Sequence, residues 1–242
     1  DLEQLENYFH FRNPTLGKTF YRGVRAWKPG RYSQINHHNT FRWDTLSIPK
    51  SNEKVIDKAL FQSTLQRVIL HQFHADVPAG ILLSGGMDSS LLYALWYQQT
   101  GTSLPAFTIQ VEKKYRKKYS DADAARRFVR AFPADHQLIE IDQQTVFDHW
   151  EEFIRSIDQP IGDSAGFLTW MIGKKAKNQV KVLASGAGAD ELWGGYQRHK
   201  AFHQYLQNPS FWIKWAPLAQ KLPLGRAWNK FTSGIRPSSQ ET

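Results

Sequence analysis

Within Ser84-Gly85-Gly86-Met87-Asp88-Ser89-Ser90, three hydroxyls, two adjacent glycines and one carboxylate share seven positions. Apolar Ile81-Leu82-Leu83 leads into this stretch, and an apolar run over residues 91–96 leaves it. The pattern reads as a strand, a tight loop and the start of a helix. Glycines let a loop backbone approach a ligand closely and adopt positive φ. Loop amides and a helix N-terminus then converge on one point, which favours an anion. Ser84, Ser89 and Ser90 add donors. Asp88 would repel a phosphate by itself, so its presence implies a divalent metal between carboxylate and phosphates. The stretch is neither G-x-x-x-x-G-K-[ST] nor G-x-G-x-x-G. An ordinary Gly-Ser turn is the plain alternative.

A second stretch, residues 181–196, reads Lys-Val-Leu-Ala-Ser-Gly-Ala-Gly-Ala-Asp-Glu-Leu-Trp-Gly-Gly-Tyr. Again a short apolar strand runs into a glycine-rich turn and an acidic pair, Asp190-Glu191. Two such loops at the carboxyl ends of parallel strands share one crevice in open α/β sheets. Asp88 and Asp190 would then face one metal from two sides. Two carboxylates with phosphate and water oxygens suit Mg²⁺. Between the loops lies Asp158-Gln159-Pro160-Ile161-Gly162-Asp163-Ser164.

The first string, S-G-G-x-D-S-S, resembles the pyrophosphate loop of the N-type ATP pyrophosphatases. The second resembles S-G-E-G-A-D-E-x-x-G-G-Y of asparagine synthetases, and 158–164 is similar to their D-x-P-x-x-D-S segment. The three motifs occur in that family's order, and the likeness runs from about residue 21 to about 199. It implies an adenine nucleotide alpha-hydrolase-like fold and ATP with Mg²⁺ as cofactors. The implied reaction adenylates a small-molecule carboxylate, the aspartate side chain first, and forms an amide with ammonia. Residue by residue, Leu83 and Ile109 resemble the backbone positions that meet adenine. Ser84, Gly85, Gly86, Asp88, Ser89 and Ser90 resemble the pyrophosphate loop, and Ser185 and Gly186 the nucleotide-contacting pair of the second. Asp88 and Asp190 resemble the Mg²⁺ ligands and, in that role, the catalytic residues. Asp163 and Ser164 border the amino-acid pocket by this likeness, or serve as a helix cap before 167–172.

The chain departs from the family at one position. Where asparagine synthetases have the Glu of S-G-E-G, this sequence has Ala187, whose side chain can neither accept a hydrogen bond nor balance a charge. Another group substitutes, the acyl substrate differs, or activity is weak; the sequence leaves all three open. An amide- or lactam-forming relative acting on another substrate, and a nucleotide-binding but inactive fragment, are the competing readings.

Composition bounds the rest. The 242 residues suffice for one α/β domain with a sizeable core. No apolar run has bilayer-spanning length and no signal-peptide pattern opens the chain, so no membrane partner and a cytoplasmic location are expected. There is no Cys, which excludes disulfides, thiolate zinc sites and a cysteine nucleophile. Lys and Arg number 31 against 22 Asp and Glu, a net charge of +9. The densest basic run, Lys113-Lys114-Tyr115-Arg116-Lys117-Lys118, follows a predicted strand and reads first as a solvated loop. No nucleic-acid-binding pattern accompanies it, so no nucleic-acid partner is expected.

Strands are expected over 80–83, 104–111, 138–141 and 182–184, and helices over 52–73, 88–97, 121–132 and 145–157. Their alternation gives a Rossmann-like parallel sheet with helices on both faces. Phe61, Leu65, Val68, Ile69 and Phe73 mark the buried stripe of the first helix. After 199 a short helical hairpin is expected. Residues 21–32 read as a strand pair around Pro29-Gly30 and are similar to the end of the glutaminase domain of asparagine synthetases, with 40–48 as linker. The implied layout is a glutaminase remnant and linker over 1–50, a synthetase domain over 51–206 and a partial helical region over 207–242. A glutaminase domain in the full-length chain is then the expected partner. Tyr8, Phe9, Phe11, Phe20, Tyr21 and Trp27 would be left exposed, which favours self-association such as a homodimer.

Overall fold

The computed structural model turns this alternation into one parallel sheet. It describes residues 1–15, 17–35, 41–47, 57–115 and 121–219, which fall into two units, Asp1–Ser185 and Gly186–Thr242, each taken by itself. The first holds α1 (Gln4–Phe11), β1 (Arg31–Ile35), β2 (Phe41–Thr45), α2 (Lys58–Phe73), β3 (Ala79–Leu82), α3 (Met87–Thr100), β4 (Pro105–Val111), α4 (Asp121–Ala131), β5 (Asp135–Ile141), α5 (Gln143–Ser156), α6 (Ala165–Ala176) and β6 (Val182–Ala184). The sheet order is β5-β4-β3-β6, with every neighbouring pair parallel.

Strands buried on both faces need apolar residues pointing both ways. Adjacent residues of β4 show it: Ala106 joins one core and Phe107 the other. On the first face Ile69 and Phe73 of α2, Tyr93 and Leu95 of α3 and Ala125 of α4 pack with Ile81, Leu83 and Ala106. On the second, Phe153 of α5 and Phe167, Met171, Ile172 and Ala176 of α6 pack with Phe107, Ile139 and Ile141. Helix starts are fixed locally. The Asp57 carboxylate accepts the Ala59 and Leu60 amides at 2.8 and 3.3 Å, and Asp142 accepts that of Thr145 at 2.7 Å, both N-caps.

The strand order has a functional consequence. From β3 the chain winds outward through β4 and β5, then returns to lay β6 on the other side of β3. The order therefore reverses between β3 and β6, the place where open sheets bind ligands.

Three expectations need correction. The strand pair expected over 21–32 is not there. Lys18 and Arg25 form an isolated antiparallel bridge, and Pro29-Gly30 leads into β1, which pairs with β2 from Arg31↔Thr45 to Ile35↔Phe41. Residues read as linker thus include a paired strand. On α2, Phe61 and Val68 are exposed, and the buried stripe narrows to Ile69 and Phe73, with Leu65 partly buried against the same core. β5 starts at Asp135 rather than 138 and pairs with β4 along all its length. Residues 52–56 and 116–118 lie outside the described residues. Among the described residues no helix is long and apolar enough to cross a membrane.

The N-terminal segment docks on the 158–164 stretch. Tyr21 Oη donates to the Asp158 carbonyl at 2.5 Å, and the Phe20 amide donates to Gln159 Oε1 at 3.1 Å. Gly162 lies so close to Arg12 that a Cβ there would sit 2.5 Å from Arg12 Cβ and 3.0 Å from its Cα. Arg12 itself ends α1 in the left-handed region, at φ 60°. Gly162→Ala should therefore cost about 1–3 kcal/mol through overpacking and speed amide exchange at residues 17–26 as well as 158–164. Unchanged exchange in the N-terminal segment would mean that this contact does not hold it. Phe9, Phe11, Tyr21 and Trp27 are exposed, whereas Tyr8 and Phe20 pack edge to face, ring centroids 5.6 Å apart.

In the second unit, α7 (Ala189–Trp193) is followed by a helical pair, α8 (Gln197–Gln207) and α9 (Pro209–Ala219), joined at Asn208. Trp212 reaches back to donate its indole N–H to the Gln204 carbonyl at 3.1 Å. This is the expected hairpin.

Candidate functional site

The 84–86 loop is shaped from inside. The Ser84 and Ser89 hydroxyls share a hydrogen bond of 3.0 Å. The Ser84 amide donates to Ser89 Oγ and the Gly86 amide to Ser84 Oγ, each at 3.2 Å. Ser89 is buried, so its hydroxyl latches the loop rather than facing outward. Gly85 adopts φ 72°, and the place of its missing side chain is filled by the α4 backbone, 2.5 Å from Ala125 N. The loop is thus pressed flat against α4.

This shape leaves the N-terminus of α3 open. Gly86 is its N-cap and supplies no side-chain hydrogen bond. The first intrahelical bond recorded there runs from the Ser90 amide to the Gly86 carbonyl. The amides of Met87, Asp88 and Ser89 belong to the first turn, where a helix has no internal acceptor for them. They form a donor set for an anion. Asp88 stands in the same turn, half-buried. A carboxylate is a hard-oxygen donor of the kind that hard divalent cations take. Among the described residues no group of three or more His, Asp or Glu side chains gathers for a metal.

Beside the loop, the β3–β4 ladder opens. The Leu83 amide donates to the Phe107 carbonyl at 2.9 Å. The Leu83 carbonyl is taken by the Thr108 hydroxyl, which is itself 2.9 Å from His136 Nε2 on β5. Thr108 has one proton and spends it on Leu83, so His136 Nε2 is the donor to Thr108 Oγ1, which fixes the ring as the Nε2–H form. Burial, and then the nearby Arg126 guanidinium, hold His136 below the usual imidazole range. Thr108 and His136 carry no motif; a Thr between Phe107 and Ile109 reads only as a β-branched strand residue.

Leu83, Ser84, Gly85, Gly86, Asp88, Ser89, Ser90 and Ile109 therefore gather at the carboxyl edge of β3 and β4. Ser185 joins them at the same edge, because β6 pairs with β3 through Ile81↔Ala184. Asp163 and Ser164 lie before α6. The Asp163 carboxylate accepts the Ala165 amide at 3.0 Å, while Ser164, the N-cap by position, makes no side-chain cap bond. The capping part of that pair is Asp163.

Gly186, Ala187 and Asp190 belong to the second unit. There Gly188 enters α7 at φ 98° and Gly194 leaves it at φ 68°. The Asp190 carboxylate folds over Gly195, at the place a side chain on Gly195 would need. Glu191 accepts the Tyr196 hydroxyl at 2.7 Å, which with the surrounding amides holds its carboxyl below the usual range. Arg198 lies 4.2 Å from the Tyr196 ring centroid. Glu191 of the acidic pair is thus held within its own loop by that motif's Tyr196, while the Asp190 carboxylate lies over Gly195.

The sequence model of the asparagine synthase family matches residues 60–242, and the chain belongs to that family. It is 26% identical over 206 residues to asparagine synthetase [glutamine-hydrolyzing] 1 of Bacillus subtilis, covering 83% of this chain and 32% of that protein. It is 30% identical over 203 residues to a probable asparagine synthetase [glutamine-hydrolyzing] of Schizosaccharomyces pombe, covering 72% and 34%. It is also 28% identical over 207 residues to amidase chyE of Penicillium rubens, covering 76% and 30%. The chain spans about a third of the length of these relatives.

Proposed function

We propose that the chain binds ATP with Mg²⁺ at the carboxyl edge of the sheet and uses it to activate a carboxylate. The observation that carries this reading is the open N-terminus of α3, with Asp88 in its first turn, at the reversal of strand order. The α3 amides and the Ser84 and Ser90 hydroxyls would take the β- and γ-phosphates. Leu83 and Ile109 would flank the base, and Ser185 and Gly186 the rest of the nucleotide. Asp88 and Asp190 would hold Mg²⁺, whose charge offsets that of the phosphates. The substrate carboxylate attacks the α-phosphorus, the bond to the bridging oxygen breaks, and pyrophosphate leaves. An amine nitrogen then attacks the acyl carbon and AMP leaves. Catalysis of this kind is mainly positioning and charge stabilisation.

Family membership favours the aspartate side chain and ammonia as substrates. It also favours reading residues 1–50 as the end of a glutaminase-type domain with its linker, 51–206 as the synthetase domain and 207–242 as part of a helical region. Ala187 favours a second reading, amide or lactam formation on another carboxylate, because the acid of S-G-E-G is missing. The likeness to an amidase gives that reading a precedent in name.

Isotope exchange between ATP and pyrophosphate, run over a panel of carboxylates, decides between them. The expected result is exchange that requires aspartate and Mg²⁺, is abolished by EDTA, and yields amide when ammonium is added. Because the chain has no Cys, glutamine should not replace ammonium. Exchange driven only by another carboxylate would select the second reading. No exchange with any carboxylate, or glutamate released from glutamine by the purified chain, would refute the proposal.

A further inference from the structure

Parallel strands alternate strictly. A residue sends both its N–H and its C=O to one neighbour, and the next residue sends both to the other. Phe107 faces β3, since its carbonyl accepts the Leu83 amide at 2.9 Å. Ile109, two residues on, faces the same way, and an unbroken ladder would place its amide on the Leu83 carbonyl. Among the described residues no bond runs from the Ile109 amide to that carbonyl, and the Thr108 hydroxyl takes it. Thr108 is buried, and His136 Nε2 at 2.9 Å supplies the hydrogen bond its oxygen accepts, which fixes the hydroxyl's direction. A side chain has replaced a ladder bond at the last position before the loop. The Ile109 amide is thereby left at the open edge, on the side of the 84–86 loop.

We propose that Thr108, aimed by His136, is the residue that holds the β3–β4 ladder open so that the backbone of Ile109 can read the nucleotide base, and so sets selectivity for adenine. This rests on the nucleotide-binding reading above. Neither side chain touches the ligand, and both are positioning residues. Adenine offers a ring nitrogen that accepts and an amino group that donates, whereas guanine presents the opposite pattern at the same edge. A backbone amide left free by Thr108 matches the first and opposes the second. With Val at 108 the Leu83 carbonyl loses its donor. It then has the Ile109 amide within the ladder as its nearest replacement, and the edge closes.

The test uses the 242-residue chain with ATP·Mg²⁺ and GTP·Mg²⁺ as probes, in equilibrium binding and in amide hydrogen exchange without ligand. In the wild type, Ile109 should exchange fast for a strand residue and ATP should bind more tightly than GTP. Thr108→Val should slow exchange at Ile109 and cut the ATP-to-GTP preference about tenfold, the worth of one well-placed hydrogen bond. Thr108→Ser keeps the hydroxyl and should restore both. If Thr108→Val does not fold, His136→Leu against His136→Gln decides: Leu removes the donor to Thr108 and should lower the preference, while the Gln amide replaces it. An unchanged preference in the foldable variants, or a slow Ile109 amide in the wild type, would overturn the proposal. A wild type that binds neither nucleotide would refute the underlying reading, and this one with it. A protected Ile109 amide with normal ATP binding would refute this proposal alone.

Discussion

Asp88→Asn is expected to lower pyrophosphate exchange at least a hundredfold while shifting the melting temperature by only a few degrees. The two side chains have nearly the same shape, so the first turn of α3 should form in both. The stability cost is the lost interaction of an acidic group with the helix N-terminus, about 0.5 kcal/mol. The functional cost is larger, because charge placed to balance a developing anion is worth about two to three orders of magnitude in rate. Metal dependence separates this role from a general one. With Mg²⁺, the variant should bind ATP far more weakly than the wild type. Without metal, it should bind ATP as well or better, because a carboxylate in the α3 turn then only repels the phosphates. Equal weakening in both conditions would remove Asp88 from the metal site. Asp190→Asn should behave alike. If both carboxylates serve one ion, the double variant should be little worse than either single one, since groups acting as a unit are not additive. Additive losses would assign them to separate tasks.

Legibility in the sequence followed the range of the interaction. The 84–90 loop was readable because its residues constrain one another: Gly85 needs φ 72°, and the Ser84 and Ser89 hydroxyls close the turn over five positions. The alternation of strands and helices was readable because strands buried on both faces are apolar on both faces. The strand pair over 21–32 is misplaced because Pro29-Gly30 marks a turn without saying which segments pair. β1 finds its partner in β2, across residues that carry no turn signal of that strength. The amino end of β5, Asp135-His136-Gln137, reads as loop by composition, yet as an edge strand it needs only β4 beside it to pair. Phe61 and Val68 fit the helical period of α2 and are still exposed, since the period does not give the width of the surface a helix covers. Thr108 and His136 lie 28 residues apart, and their meeting depends on the β4–β5 register, which no local pattern encodes.

Gly85→Ala should be the most damaging single-methyl change in the described part of the nucleotide loop. Two costs combine there. The first is backbone strain: a residue with a Cβ at φ 72° pays about 1–2 kcal/mol relative to Gly. The second is contact. The new Cβ would lie 2.5 Å from Ala125 N, 2.7 Å from Ala124 Cβ and 2.8 Å from Ala124 C. Two of these atoms are helix backbone and cannot swing aside, so either the loop lifts or α4 shifts. Overpacking of this kind adds about 1–3 kcal/mol. Gly101 separates the two costs, because it has φ 66° with nothing within 4 Å of its missing side chain. Gly101→Ala should pay only the strain and leave nucleotide binding intact. Gly85→Ala should pay both and lose ATP binding, since lifting the loop breaks the Ser84–Ser89 latch and tilts the α3 amides. Adding Ala124→Gly removes one of the three contacts and should recover only part of the stability. Full recovery would mean that the side chain of Ala124, and not the α4 backbone, sets the height of the loop. Equal melting temperatures for Gly85→Ala and Gly101→Ala would mean that the loop is not pressed against α4 at all, and the α3 N-terminus would then lose the support that aims its amides at the phosphates.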